Sequence, residues 1–306
     1  MPTRSPVKRS REAGRAADPE SADEAVRVRR VSRGGVRLFV REWTSDGPAV
    51  LLLHGLASSS VIWEGVARRL WPRFHVVAYD QRGHGRSAKP DGGYGFDDMC
   101  ADASRVIASL RLERPLVVGH SWGANVALQL GVERADEVSR LVLVDGGFMQ
   151  MSDRMDWPTA RRQLAPPRIN GMELERLLEY ARTGPLREVW NVDAERTLRS
   201  LFDVNDGRVR PRLSRANHMK ILRALWGQPT FELLAGLRVP ALIVAARPKE
   251  VGDDDAEFVA SKQAAEERVR SVNPLVRFEW IQSIHDVPLQ RPGELARRIS
   301  AFSRGR

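Results

Sequence analysis

Cysteine occurs once in the chain, at position 100. A single thiol cannot close an internal disulfide and cannot supply a cysteine-built zinc site, so a disulfide scaffold and a zinc-ribbon architecture are both excluded. Long apolar runs are missing as well. Residues 50–53 and 141–144 are among the longest, against about 20 consecutive apolar residues for a bilayer span. Lysine is scarce, with 5 residues against 44 arginines. The net charge of +10 is spread along the chain with acidic residues mixed in. No basic run is interleaved with aromatics, as a nucleic-acid groove requires. The arginines therefore read as solvated faces, with neither nucleic acid nor a membrane as partner.

What is present is the balance of a globular protein: 42% hydrophobic and 29% charged over 306 residues. A chain of that length buries about 75% of the surface its unfolded form exposes. At about 150 residues per domain it makes two units, or one large α/β unit with an insertion. Residues 1–24 hold one valine and no aromatic and read as a disordered basic tail. They lack the apolar stretch of a secretory signal, so a cytoplasmic location is expected.

From residue 25 onward, strand-like and helix-like patterns alternate. Strands are predicted at 26–32, 36–43, 49–53, 74–79, 115–118, 141–144, 241–245 and 276–281, with Arg33-Gly34-Gly35 as a hairpin turn. Helices are predicted at 61–70, around Met99–Ala103–Val106–Ile107–Leu110, at 124–130, at 254–272 and around Leu295–Ile299–Phe302. Such alternation implies a mostly parallel sheet of about eight strands covered by helices on both faces. Between residues 148 and 237 no strand run is apparent. Amphipathic helical patches broken by prolines at 158, 166, 167, 185, 211 and 229 predict a helical cap. The expected division is a core of 25–147 and 238–306 with a cap of 148–237.

The strongest chemical signal is Gly119-His120-Ser121-Trp122-Gly123, between a strand and an apolar helix. G-x-S-x-G at such a joint is a nucleophile elbow: a tight, strained turn that lifts a serine hydroxyl above the sheet edge. That hydroxyl needs a base. Of six histidines, His54, His75 and His84 lie in a turn, a strand and a glycine-rich loop, His120 adjoins Ser121, and His218 is in the insertion. His285 follows the last strand at the functional edge of the sheet and is the candidate base.

These motifs, together with His54-Gly55, Asp80-Gln81-Arg82-Gly83-His84-Gly85-Arg86-Ser87 and His285-Asp286-Val287-Pro288-Leu289, resemble the cap-bearing serine hydrolases of the α/β-hydrolase superfamily, over residues 26–306. The resemblance implies an oxyanion hole formed by the backbone N–H groups of Leu56 and Trp122. It gives the Asp80–Ser87 stretch no chemistry. It also implies a serine hydrolase that needs no cofactor or metal and acts by an acyl-enzyme on a small or medium ester, lactone or thioester. Self-association is left open. The sequence departs from the family at the acid. No aspartate stands in the turn after residues 241–245, which reads Ala246-Arg247-Pro248-Lys249-Glu250. Asp145, ending the strand 141–144, is preferred, with Glu250 as the alternative. The Asp253–Asp255 cluster reads as acid complementing a helix dipole. Trp122, Phe148, Met149, Trp190 and Trp226 are candidate pocket walls. The reading from another class is a non-catalytic ligand-binding protein of the same fold, motivated by the irregular acid.

Overall fold

A computed structural model describes residues 26–250 and 252–305, so the tail expected at 1–24 lies outside the described residues. The first part of the chain supplies strands β1 (Val26–Arg33), β2 (Val36–Trp43), β3 (Ala49–Leu53), β4 (His75–Asp80), β5 (Leu116–His120) and β6 (Arg140–Val144). Helices α1 (Glu64–Leu70), α2 (Phe96–Ser109) and α3 (Trp122–Glu133) run between them. After β6 come α4 (Trp157–Gln163), α5 (Leu174–Thr183), α6 (Val192–Ser200), the strands β7 (Phe202–Asn205) and β8 (Arg208–Pro211), α7 (Arg215–Trp226) and α8 (Thr230–Gly236). The chain then returns to the sheet as β9 (Ala241–Arg247), α9 (Asp253–Val272), β10 (Val276–Gln282), α10 (Val287–Gln290) and α11 (Pro292–Ser303).

Eight of these strands form one sheet in the order β1-β2-β4-β3-β5-β6-β9-β10. β2 pairs antiparallel with β1 and β4, and every other pairing is parallel. The fold class read from the alternation is the one observed. Its central strands are continuous apolar runs because both faces are covered. Leu51, Leu53, Val117, Leu141 and Ile243 face one core, packed by α2, α3 and α9, while Val50, Leu52, Val118, Val142 and Val244 face the other, packed by α1 and α11. The region predicted as one helix at 61–70 splits. Ser59 caps a 3-10 turn, Ser60–Trp63, by accepting from the Val61 N–H, and α1 follows.

The segment between β6 and β9 differs from the all-helical expectation. β7 and β8 form an antiparallel hairpin closed by Asp206 and Gly207, both at positive φ (49° and 72°). Asp-Gly is among the sequences most favoured in such a two-residue turn, because both positions must be left-handed. The strands are four residues each and carry arginine and asparagine, so no hydrophobic run announced them.

Two polar knots fix the loops at the sheet's carboxyl edge. Arg82 Nε and Nη2 donate to Asp102 Oδ2 and Oδ1 at 2.6 and 2.7 Å, with both side chains buried. This bidentate pair ties the loop after β4 to α2. Asp80 Oδ1 accepts from the Ser60 N–H and hydroxyl at 2.8 and 2.7 Å, and its Oδ2 accepts from the Arg86 N–H at 2.8 Å. No described helix is long and apolar enough to cross a membrane.

Candidate active site

β5 runs directly into α3, and Ser121 is the joint. It sits at φ 53°, ψ −125°, a conformation that costs a non-glycine residue about 1–3 kcal/mol unless its surroundings enforce it. Here they do. A Cβ on Gly119 would lie 2.1 Å from the Gly123 carbonyl oxygen, and a Cβ on Gly123 would lie 2.3 Å from the Leu53 carbonyl oxygen. Only hydrogen at those positions lets strand, turn and helix approach this closely. The Ser121 N–H donates to the Val144 oxygen at 2.9 Å, which anchors the turn to β6.

His285 stands on the loop between β10 and α10. The Gln290 amide oxygen accepts from the Ser283 hydroxyl and the Ile284 N–H, both at 2.8 Å, and pins that loop. Ser121 and His285 line one cavity of about 200 Å³ together with Leu56. On its other side, His285 Nδ1 donates to Asp145 Oδ2 at 2.7 Å. Asp145, just past β6, is held at φ 45°. Its second oxygen accepts from the Ala246 N–H at 2.8 Å and from Lys262 Nζ at 2.7 Å. Lys262, on α9, is almost fully buried and also donates to the Ala246 oxygen at 2.9 Å.

Electrostatics divide these groups. Burial alone would push the Asp145 carboxyl up, but the hydrogen bond and charge of His285, with Lys262, hold it below the usual carboxylate range. Burial pulls His285 down, but the Asp145 bond and charge outweigh it, so the imidazole lies above its ordinary value. His120 is the opposite case. Burial and the neighbouring His285 push it down to about 4, and its Nε2–H is committed to the His285 carbonyl oxygen at 2.9 Å. It stays neutral and helps hold the loop of His285.

Both positions proposed for the oxyanion hole border this centre. Trp122 opens α3, so its N–H has no intrahelical acceptor. Leu56 follows Gly55, where an added Cβ would lie 3.1 Å from the Ser121 Cβ. The Asp80–Ser87 loop, given no chemistry from sequence, supports both. His84 accepts the Ala57 N–H at its Nε2 (3.2 Å), and its Nδ1 faces the Arg82 oxygen at 3.0 Å. Its ring stacks on Trp122 with centroids 5.4 Å apart. The His54 Nε2 accepts the Gln81 N–H at 2.9 Å.

The structure places other expected residues elsewhere. Glu250 is exposed, and it is Asp145 that bonds to His285. None of the five residues expected to wall the pocket lines this cavity. Trp122 and Phe148 are buried in the core, and Met149 packs against that core. Trp226 donates to the Met155 oxygen and packs edge-on to Trp157, and Trp190 is half-buried. Sequence reasoning missed Lys262. A lysine inside a long, largely polar helix carries no local mark of burial, and its partner is 117 positions away. Among the described residues no group of His, Cys, Asp or Glu could hold a metal ion.

A profile of the alpha/beta hydrolase fold matches residues 48–174. The chain is 40% identical over 117 residues to a 2-(acetamidomethylene)succinate hydrolase of Mesorhizobium japonicum, a stretch that covers 38% of this chain and 42% of that protein. It is 37% identical over 116 residues to an N-formylmaleamate deformylase of Pseudomonas putida, covering 38% of this chain and 43% of that one. The matched stretch thus spans less than half the length of these curated relatives. Among solved structures, that of E-2-(acetamidomethylene)succinate hydrolase superposes with a TM-score of 0.74 at 26% identity, covering 91% of this chain and 99% of the other. A thioesterase domain from the curacin biosynthetic pathway superposes at 0.72 with 21% identity, covering 90% and 99%. From its sheet order, its strained serine turn and these likenesses, the chain belongs to the α/β-hydrolase superfamily.

Proposed function

We propose that this protein is a serine hydrolase that cleaves a small or medium ester, lactone or thioester through an acyl-enzyme. One observation carries the reading: a serine held at positive φ on the strand-to-helix turn shares a cavity with an imidazole that is bonded at 2.7 Å to a buried carboxylate. Ser121 Oγ attacks the acyl carbon while its proton passes to His285 Nε2. The Nδ1–H stays on Asp145, which selects the tautomer and stabilises the imidazolium. The tetrahedral oxyanion accepts from the Leu56 and Trp122 N–H groups, each such donor being worth about 3 kcal/mol of barrier. Collapse breaks the bond to the leaving group, which takes the proton from His285. Water, deprotonated by the same imidazole, then releases the acid. Residues 148–237 form the cap over this site. The names of both relatives, a hydrolase and a deformylase, support hydrolytic chemistry. The reading as a non-catalytic binding protein rests on a missing acid, and the position of Asp145 argues against it.

A fluorophosphonate probe tests the nucleophile. Wild type is expected to label and Ser121→Ala to stay unlabelled at equal concentration; equal labelling of both ends the proposal.

The pH profile tests the base. His285 acts as the free imidazole, so kcat/KM rises with pH through its pKa, and that limb lies above the ordinary value of about 6.5. Lys262 opposes the imidazolium. Lys262→Met is therefore expected to move the limb to higher pH and Asp145→Asn to lower pH. A limb that stays fixed in both variants assigns the titration to another group.

A further inference from the structure

We infer that the substrate is an uncharged ester-type molecule whose apolar chain occupies a second cavity beside the first, with one of its polar atoms held by the Ser58 hydroxyl where the two meet. The inference rests on the serine-hydrolase reading and narrows its substrate class.

The two cavities share four lining residues, Ala57, Ser58, Leu198 and Leu201. The second measures about 230 Å³ and lies between the His84 loop and the segment that follows β6. Its walls include Pro166, Ile169, Leu177, Phe202 and Leu213. The polar groups in its lining are already engaged or uncharged. His84 uses both ring nitrogens on backbone groups. Arg212 Nε donates to Asp203 Oδ1 at 3.0 Å. Burial pushes His218 below the ordinary imidazole value. A chain of methylenes gives up no hydrogen bond by entering such a space and gains the transfer free energy of its buried area, which exceeds the cost of ordering it.

Charge selects in the same direction. No lysine or arginine is among the described residues lining the Ser121 cavity, whereas Asp286 is. A carboxylate held in the Ser121 cavity would have no lysine or arginine in the lining to pair with and would lie beside a like charge, which disfavours it relative to a neutral group. The neck between the cavities offers a neutral donor instead. Ser58 Oγ is buried and finds no hydrogen-bond partner among the described residues. This hydroxyl borders both cavities, so it is free to donate to a polar atom of a molecule that spans them.

The experiment measures kcat/KM for p-nitrophenyl esters from acetate to dodecanoate, for p-nitrophenyl hydrogen succinate, and for n-alkyl acetates. It uses wild type, Ile169→Trp, Leu213→Trp, Ser58→Ala and Ser121→Ala. Wild type is expected to gain about tenfold or more from acetate to octanoate, the order set by burying several methylenes. A gain in the acyl series places the acyl chain in the second cavity, and a gain in the alkyl acetates places the alcohol chain there; a flat profile in both overturns the proposal. Either tryptophan variant, filling the cavity, is expected to cut the octanoate-to-acetate ratio about tenfold, and an unchanged ratio in both folded variants overturns it. Ser58→Ala is expected to lose about tenfold on the preferred ester, the worth of one hydrogen bond to a buried group, and an unchanged kcat/KM in that variant overturns the proposal. Hydrogen succinate turned over as well as butanoate also overturns the proposal. Turnover surviving in Ser121→Ala sinks the serine-hydrolase reading and this inference with it, whereas a flat chain-length profile with Ser121→Ala inactive sinks this inference alone.

Discussion

Asp145→Asn is expected to lower kcat about ten-thousandfold, because the amide favours the wrong imidazole tautomer and cannot stabilise its cation. Glu250→Gln, altering an exposed side chain, is expected to leave kcat at the wild-type value. The aspartate variant has a second consequence, which comes from Lys262. That ammonium is almost fully buried against Asp145. Making its partner neutral strands a charge in the interior, at a cost of about 3 kcal/mol or more in stability. Asp145→Asn is therefore expected to unfold at lower temperature as well as to lose turnover. Adding Lys262→Met should separate the two effects by restoring the unfolding temperature without restoring activity. Thermal unfolding and steady-state kinetics on the four proteins of this cycle read both. Full activity in Asp145→Asn would remove the carboxylate from the mechanism.

Gly123→Ala is expected to cost about 4 kcal/mol or more, at the exceptional end for a single substitution. A methyl there would meet the Leu53 and His54 carbonyl oxygens at 2.3 and 2.6 Å. Both are backbone atoms of β3 and its exit turn, so neither can swing aside. Relief would push α3 away from β3 and carry the Trp122 N–H away from that of Leu56, so ester hydrolysis should vanish in whatever fraction stays folded. Gly236→Ala is the matched comparison. It lies at the end of α8 with nothing within 4 Å of the added carbon. There the same substitution is expected to stabilise by about 0.5 kcal/mol, through the unfolded chain alone. Denaturant midpoints of the two variants check the contrast.

What could be read from the sequence was local or covalently close. The central strands are legible because a strand buried on both faces must be a short apolar block, as at Val50, Leu51, Leu52 and Leu53, and the outer strands because β-rich residues alternate with polar ones, as in Val276–Gln282. The Ser121 turn is legible because its two glycines are forced within five residues. The β7–β8 hairpin was missed because its strands are polar, although Asp206-Gly207 marked its turn. The acid stayed open between Asp145 and Glu250 because the choice depends on where β6 and β9 place their ends relative to His285, 140 positions away from Asp145. Lys262 and Ser58 were invisible for the same reason: a buried ammonium and an unpaired hydroxyl are defined by neighbours supplied from other elements, and neither leaves a trace in periodicity.

The turn at residue 121 is gripped almost entirely by main chain. Its peptide is flanked by Gly146, where a methyl would come within 2.2 Å of the Ser121 oxygen, and by Gly55. Nothing in that grip refers to the hydroxyl itself. The pivot point of the reaction is thus set by the scaffold, while the reacting atom is an interchangeable fitting. A thiol or a carboxylate mounted at this position would be aimed at the same point in space, so new chemistry could arise here by exchanging a single side chain while the architecture stays unchanged.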